Sequence, residues 1–139
     1  MERKKGESSL YLPFKKELIR EGFKDELLGG PLDRLIHSVN ASPYKKIPKM
    51  IFKAKCEKGI SFVMKLALKH KIPYTFKGAG TSLSGQCISD SLLIILENEH
   101  WKKIKIEKKS HLITAQVGLT GQEVNRFLRP FGRKIGPDP

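Results

Sequence analysis

The stretch from Ile72 to Leu96 constrains this chain more than any other, because two segments suited to strands flank a loop made almost wholly of small residues. Ile72-Pro73-Tyr74-Thr75-Phe76 reads as a short strand with Pro73 at its start. Leu92-Leu93-Ile94-Ile95-Leu96 is a continuous apolar strand, suited to the interior of a sheet covered on both faces. Between them lies Lys77-Gly78-Ala79-Gly80-Thr81-Ser82-Leu83-Ser84-Gly85-Gln86. Gly78, Gly80 and Gly85 admit backbone conformations and close approaches that a Cβ forbids, so successive N–H groups can turn towards one anion. Thr81, Ser82 and Ser84 add hydroxyl donors, and the set suits the many acceptor oxygens of a pyrophosphate. The loop is not a Walker A, which ends in Gly-Lys-Ser/Thr, nor a GxGxxG turn, which needs glycine where Leu83 stands. On chemistry alone, a phosphate loop and a plain connector both remain open.

The flanking sequence supplies a context for that loop. Met50-Ile51-Phe52 predicts a strand ending in a Lys-rich turn. Glu57 to His70 then predicts a helix with Ile60, Val63, Met64, Leu66, Ala67 and Leu68 on its apolar face and basic residues in its last turn. Strand, helix, strand is a βαβ unit with a right-handed crossover expected. Upstream, Leu10, Phe14, Leu18 and Ile19 mark an amphipathic helix capped by Ser8 or Ser9 and stopped by Gly22. Gly29-Gly30-Pro31 opens a second helix through Leu32, Leu35 and Ile36, and Asn40-Ala41-Ser42-Pro43 is a turn. Downstream, Lys103 to Glu107 and His111 to Val117 predict an antiparallel hairpin. Thr120 and Glu123 form a capping box before a helix burying Val124, Phe127 and Leu128, and Pro130 and Gly132 end it. The reading is an α+β fold, a parallel βαβ portion followed by antiparallel strands, with a helical preamble at residues 1–43 and one domain at 44–139. Ile135-Gly136-Pro137-Asp138-Pro139 is a rigid turn with no element after it, so the domain is expected to be incomplete and the natural protein to continue.

Bulk properties exclude several classes. A chain of 139 residues is one domain by length and too short for two catalytic lobes. Only Cys56 and Cys87 are present, far apart and outside any CxxC pair, so two buried or half-buried free thiols are expected, not a disulfide framework or a metal site. His37, His70, His100 and His111 show no metal spacing, His70 suits a helix C-terminus, and Trp101 reads as a packing residue. No apolar run spans a bilayer and the basic N-terminus lacks a secretory h-region, so a cytoplasmic location is expected. The net charge of +13 fits a nucleic-acid surface, an anionic membrane face or a general preference for lysine. Apolar residues interrupt the basic stretches at structural spacing, which favours the last two. No nucleic-acid partner is therefore expected, and peripheral association with the inner membrane face stays open.

The run from Ile72 to Gln86 resembles the pyrophosphate loop of the FAD-binding domain shared by vanillyl-alcohol oxidase, p-cresol methylhydroxylase (PCMH) and their relatives. Ala41-Ser42 through Ile47-Pro48-Lys49 resembles the entry segment of D-lactate dehydrogenases that fuse this domain to an iron–sulfur region. Val117-Gly118-Leu119-Thr120-Gly121 with Val124-Asn125 resembles the family's strand-to-helix step, and Phe131 to Pro139 its next cofactor-contacting turn. The resemblance covers about residues 33 to 139. It implies an FAD whose diphosphate is held by Gly78, Ala79, Gly80, Thr81, Ser82, Ser84, Gly85 and Gln86, with Pro137 and Asp138 as further contacts. Covalent members carry histidine at the place of Thr81, so non-covalent FAD is implied. Lys77 stands where the family usually has arginine, replacing a planar fork by a point charge. For a full-length relative, the resemblance implies a flavin-dependent D-2-hydroxyacid (D-lactate or glycolate) dehydrogenase passing electrons to a quinone or an iron–sulfur partner. The family's catalytic residues lie beyond this stretch, so none is named here. Two rivals stand beside this reading: an inactive remnant that does not bind FAD, and a small basic nucleic-acid-binding protein.

Overall fold

The computed structural model describes residues 7–24, 26–107 and 111–136. Two compact units make up the chain, Met1–Ile95 and Leu96–Pro139.

In the first unit, α1 (Glu7–Arg20) buries Phe14 and Leu18, which lie one turn apart, while Leu10 and Ile19 are exposed. The expected face is thus narrower than its spacing predicted. The described helix spans Glu7–Arg20, so the backbone of Ser8 and Ser9, the expected caps, lies within it. Glu17 fastens α1 to the end of α3 (Glu57–Lys69), accepting from Lys69 Nζ at 2.7 Å and lying 2.8 Å from His70 Nε2. Those two hydrogen bonds, Lys69 first, hold the Glu17 carboxyl below its ordinary pKa. Gly22, at φ +88°, turns the chain towards β1 (Leu27–Leu28), a strand too short for any periodicity to reveal. Next comes α2 (Pro31–Ile36) with Pro31 in its first turn, as expected, but Leu32, Leu35 and Ile36 are exposed.

The sheet order is β1-β2-β4-β3, with β2 at Met50–Ala54, β3 at Tyr74–Lys77 and β4 at Leu92–Leu96. β2 runs through Lys53 to Ala54, where the sequence suggested a turn. β4 lies between the two strands that α3 joins, because its unbroken apolar run is the segment best able to fill a central position. β3 and β4 are parallel, in the register Tyr74↔Leu92 to Lys77↔Ile95, and β1 is antiparallel to β2. Leu92, Leu93 and Ile94 are fully buried, each such side chain stabilising the fold by about 1.5–3 kcal/mol. Phe52 packs towards α3, edge-on to Phe23 at 6.0 Å and close to Gly59, while Ile51, Leu93 and Ile95 form a cluster with Leu28. Val63, Leu66 and Ala67 are the buried apolar side chains of α3; Leu68 is 79% exposed, against expectation, because it falls off the stripe they define. Cys56 is also exposed, not buried: it caps α3, its Sγ accepting from Gly59 N at 3.4 Å, whereas Cys87 is half-buried.

The second unit holds the hairpin of β5 (Ile104–Glu107) and β6 (Leu112–Ala115), antiparallel in the register Ile104↔Ala115 to Glu107↔Leu112. Trp101 is buried, and its carbonyl accepts from Gly118 N at 2.8 Å. α4 (Gly121–Leu128) begins with the expected capping box: Thr120 Oγ1 accepts from Glu123 N at 3.2 Å, and Glu123 Oε2 accepts from Thr120 N at 2.8 Å. Val124 and Leu128 are buried, but Phe127 is exposed, since it lies off the i, i+4 line through those two residues. A 3-10 turn, Arg129–Phe131, leads into Gly132, whose φ of +63° reverses the chain.

Candidate functional site

Lys77, expected at the mouth of the loop, is the last residue of β3 and pairs with Ile95. Beyond it the chain must return to the start of β4 to pair in parallel, so residues 78–91 form a crossover without helix. Gly78, Ala79, Thr81, Ser84 and Gln86 are exposed in that crossover, and Gly80, Ser82 and Gly85 are half-buried. Gly80 and Gly85 both adopt φ +75°, the left-handed region that glycine enters without strain. The structure therefore brings the first eight predicted site residues together on one loop. Pro137 and Asp138 lie outside the described residues.

The loop is tied down through its carbonyls. Gly80 O accepts from Ala41 N at 2.9 Å and Ser82 O from Asn40 Nδ2 at 3.0 Å. Asn40 Nδ2 also lies 3.2 Å from Cys87 Sγ, while its Oδ1 accepts from Ser42 N at 3.0 Å and Ser42 Oγ at 2.6 Å. One asparagine thus closes a local turn with its oxygen and clamps the distant loop with its nitrogen. Within the loop Ser82 Oγ bonds Gln86 Oε1 and accepts from Gln86 N at 3.3 Å. By contrast, among the described residues the backbone N–H groups from Ala79 to Gly85 donate no hydrogen bond. A loop that spends its carbonyls on its own protein and keeps its amides free is a donor surface for an anion.

Charge and space agree with that polarity. Lys77 Nζ donates to Val39 O at 2.7 Å, so the lysine standing in for arginine has found an acceptor and places a cation at the root of the loop. Its stem lies under Gly80, where a Cβ would meet Lys77 Cε at 3.0 Å. A Cβ at Gly85 would meet the Tyr44 ring at 3.0 Å, but nothing lies within 4 Å of one at Gly78. A cofactor diphosphate fits this arrangement: unbonded amides, hydroxyls at Thr81 and Ser84, a nearby ammonium and open space at Gly78.

The sequence marks Asn40 as a turn residue and gives Tyr44 no role. The Asn-Ala-Ser-Pro pattern signals the local turn, but no pattern signals a bond to Ser82, 42 residues away. Elsewhere, ligand atoms of Glu97, Glu99 and His100 lie within 4.8 Å of one another, a grouping that histidine spacing did not reveal. These are surface or near-surface groups, and His100 Nε2 is 3.6 Å from Glu99 Oε1, as in an ordinary ion pair. No helix among the described residues is long and apolar enough to cross a membrane.

The same arrangement of elements is seen in p-cresol methylhydroxylase, which superposes with a TM-score of 0.66 at 12% identity over 89% of this chain and 25% of that one. The fold is thus the α+β fold of PCMH-type flavin domains. Residues 48–139 match the family described as FAD binding domain, and the chain belongs to that family, whose cofactor is FAD. Among curated proteins it is similar to D-2-hydroxyglutarate dehydrogenase of Escherichia coli (strain K12), 24% identical over 136 residues, which are 96% of this chain and 13% of that protein. It is also similar to glycolate oxidase subunit GlcD of Bacillus subtilis (strain 168), 27% identical over 121 residues, 86% of this chain and 25% of that protein. The chain therefore spans between 13% and 25% of the length of these relatives.

Proposed function

We propose that the loop from Gly78 to Gln86 holds the diphosphate of FAD, without a covalent bond, as part of a flavin-dependent D-2-hydroxyacid dehydrogenase of the D-lactate or glycolate type. The observation that carries this reading is the set of unbonded amides from Ala79 to Gly85, exposed on a loop whose carbonyls are clamped from behind. Gly78, Ala79, Gly80, Thr81, Ser82, Ser84, Gly85 and Gln86 make the grip, with Pro137 and Asp138 as contacts from the C-terminal turn. Thr81, where covalent members have histidine, offers no imidazole for a flavin bond. When bound, the flavin supplies two-electron redox chemistry, and this part of the protein supplies position and electrostatics. The names of the two relatives, a D-2-hydroxyglutarate dehydrogenase and a glycolate oxidase subunit, support a small 2-hydroxyacid as substrate. A quinone or an iron–sulfur partner is the proposed electron acceptor.

Titration of the purified chain with FAD, followed by flavin fluorescence, tests the reading. Saturable binding is expected, with all yellow colour in the supernatant after acid precipitation. Gly80→Leu, with circular dichroism as a check on folding, is expected to weaken binding by about tenfold or more, equivalent to about 1.4 kcal/mol. Unchanged affinity in that variant would overturn the loop assignment, and a yellow pellet would overturn the non-covalent mode. A folded wild-type chain without affinity for FAD would favour the inactive remnant.

A further inference from the structure

The second unit contains a cationic hollow whose side chains are not among those assigned to the diphosphate of FAD. It lies along α4 and the turn after it, has a volume of about 620 Å³, and is lined by Gln122, Asn125, Arg126, Arg129, Arg133 and Lys134. Gln122, Asn125, Arg126 and Arg129 fall at i, i+3, i+4 and i+7, so they share one helical face. The left-handed Gly132 then reverses the chain, Arg133 N donates to Leu128 O at 3.3 Å, and Asn125 Oδ1 accepts from Ile135 N at 2.8 Å. These bonds return Arg133 and Lys134 to the same hollow.

Among the described residues of the unit, the carboxylates are engaged elsewhere. Glu123 pairs with Lys102 at 2.7 Å, Glu107 with Lys105 at 2.7 Å, and Glu97 and Glu99 lie near His100. Among the described residues no carboxylate pairs with Arg126, Arg129, Arg133 or Lys134. The helix dipole accounts for a cation in the last turn of α4, such as Arg126, but not for Arg133 and Lys134, which lie beyond the reversal. Four like charges around one hollow repel one another, and a bound anion removes that repulsion. The lining is rich in donors: guanidinium forks, an ammonium and two amides, with Asn125 Oδ1 already engaged. A single carboxylate matches neither the charge nor the number of donors, whereas a phosphate group offers more oxygens and a second negative charge to arginine forks.

We infer that this hollow is a binding site for a phosphate group, independent of the glycine-rich loop and of the flavin reading. The phosphate arrives either on a small soluble molecule or on a lipid headgroup, and the test separates the two. Wild-type chain would be titrated with inorganic pyrophosphate by calorimetry and sedimented with phosphatidylcholine vesicles with and without phosphatidic acid. The same would be done for R129Q/R133Q, for the equally charge-reduced surface control K16Q/K65Q, and for G80L, with circular dichroism confirming that each folds. Expected is a loss of about tenfold or more in pyrophosphate affinity for R129Q/R133Q, with a change under about twofold for K16Q/K65Q; G80L removes diphosphate binding at the glycine-rich loop and leaves the arginine-dependent binding in place. Binding to phosphatidic acid vesicles alone, lost in R129Q/R133Q, supports the site with a headgroup as the source. The inference is overturned if neither probe binds, if the two charge-reduced variants lose binding equally, or if G80L loses it while R129Q/R133Q does not. FAD affinity is expected to survive in R129Q/R133Q; its loss there would make the hollow part of the flavin site and overturn its independence. Failure of the flavin reading alone leaves the arginine-dependent binding of pyrophosphate in place.

Discussion

Gly78 and Gly118 each come after a strand, β3 in the first unit and β6 in the second, and their surroundings are opposite. A Cβ at Gly118 would lie 2.5 Å from Asn98 O and 2.6 Å from Trp101 O, distances that no side chain tolerates. The protein's own backbone fills that space, and Gly118 N uses the approach to bond Trp101 O at 2.8 Å. Around Gly78 nothing lies within 4 Å of the corresponding position. Neighbouring atoms explain the first glycine and give the second no steric reason among the described residues, so under the proposed flavin reading the open side of Gly78 is left for the diphosphate. The surroundings of the two sites point the same way: the amide at Gly118 is bonded inward, and those from Ala79 to Gly85 are bonded to nothing in the described structure.

The contrast predicts its largest effect at Gly118. Gly118→Val drives its side chain into the backbone of Asn98, which opens a short 3-10 turn (Asn98–His100), and of the buried Trp101, and is expected to destabilise the second unit by about 3 kcal/mol. Urea unfolding followed by Trp101 fluorescence measures this directly. A midpoint within error of wild type would show that the backbone there yields freely, and the steric half of the contrast would collapse.

A smaller loss is expected from Asn40→Ala, which removes the clamp behind the loop while leaving the amides in front untouched. Ser82 O, the Ser42 turn and Cys87 Sγ all lose a partner, at a cost of about 1–2 kcal/mol since the site is only half-buried. Because the loop is then less well ordered, FAD affinity is expected to fall along with stability. Unaltered FAD affinity in a measurably destabilised Asn40→Ala protein would show that the clamp serves the fold alone.

The capping box of α4 offers a pH-dependent effect on the other side of the comparison. The hydrogen bond from Lys102, followed by those from Thr120, lowers the Glu123 carboxyl from 4.5 to about 2. A carboxyl depressed on folding stabilises the folded state fully above its unfolded pKa, and that contribution is lost as pH falls towards the folded value. Stability of the second unit is therefore expected to decline between about pH 4.5 and about pH 2, and Glu123→Gln should flatten that part of the profile. A variant whose acid unfolding curve matches wild type would place the acid sensitivity on other carboxyls.

These regions also differ in how much of them can be read without coordinates. The antiparallel hairpin and the Thr120–Glu123 box follow from local pattern, since alternation and an i, i+3 cap are features of adjacent residues. The crossover loop was legible in its glycines and hydroxyls, but its polarity, carbonyls bonded and amides unbonded, depends on Asn40 and Ala41, which belong to a different part of the chain. β1 and the position of β4 between β2 and β3 were illegible for a related reason: a two-residue strand has no period, and strand order is decided by long-range pairing. Periodicity overstated burial where a stripe is narrow, at Ile19, Leu68 and Phe127, and throughout the short helix α2, because it reports which side chains share a face but not whether that face is covered.

The smallest expected change in stability, at Gly78 itself, is the sharpest test of the contrast. Gly78→Ala adds one methyl group to empty space at a residue whose φ lies outside the left-handed region. Fewer conformations remain open to the unfolded chain, so the substitution should be neutral or stabilising by about 0.5 kcal/mol. The same methyl stands where a diphosphate must come within hydrogen-bonding distance of the adjacent amides, so FAD affinity should fall by about tenfold although the fold is intact. Stability and binding then move in opposite directions, a pattern that damage to the fold cannot produce. Should Gly78→Ala keep full affinity for FAD, the open space beside it is not where the phosphates lie, and the unbonded amides would have to serve them from Thr81 onward.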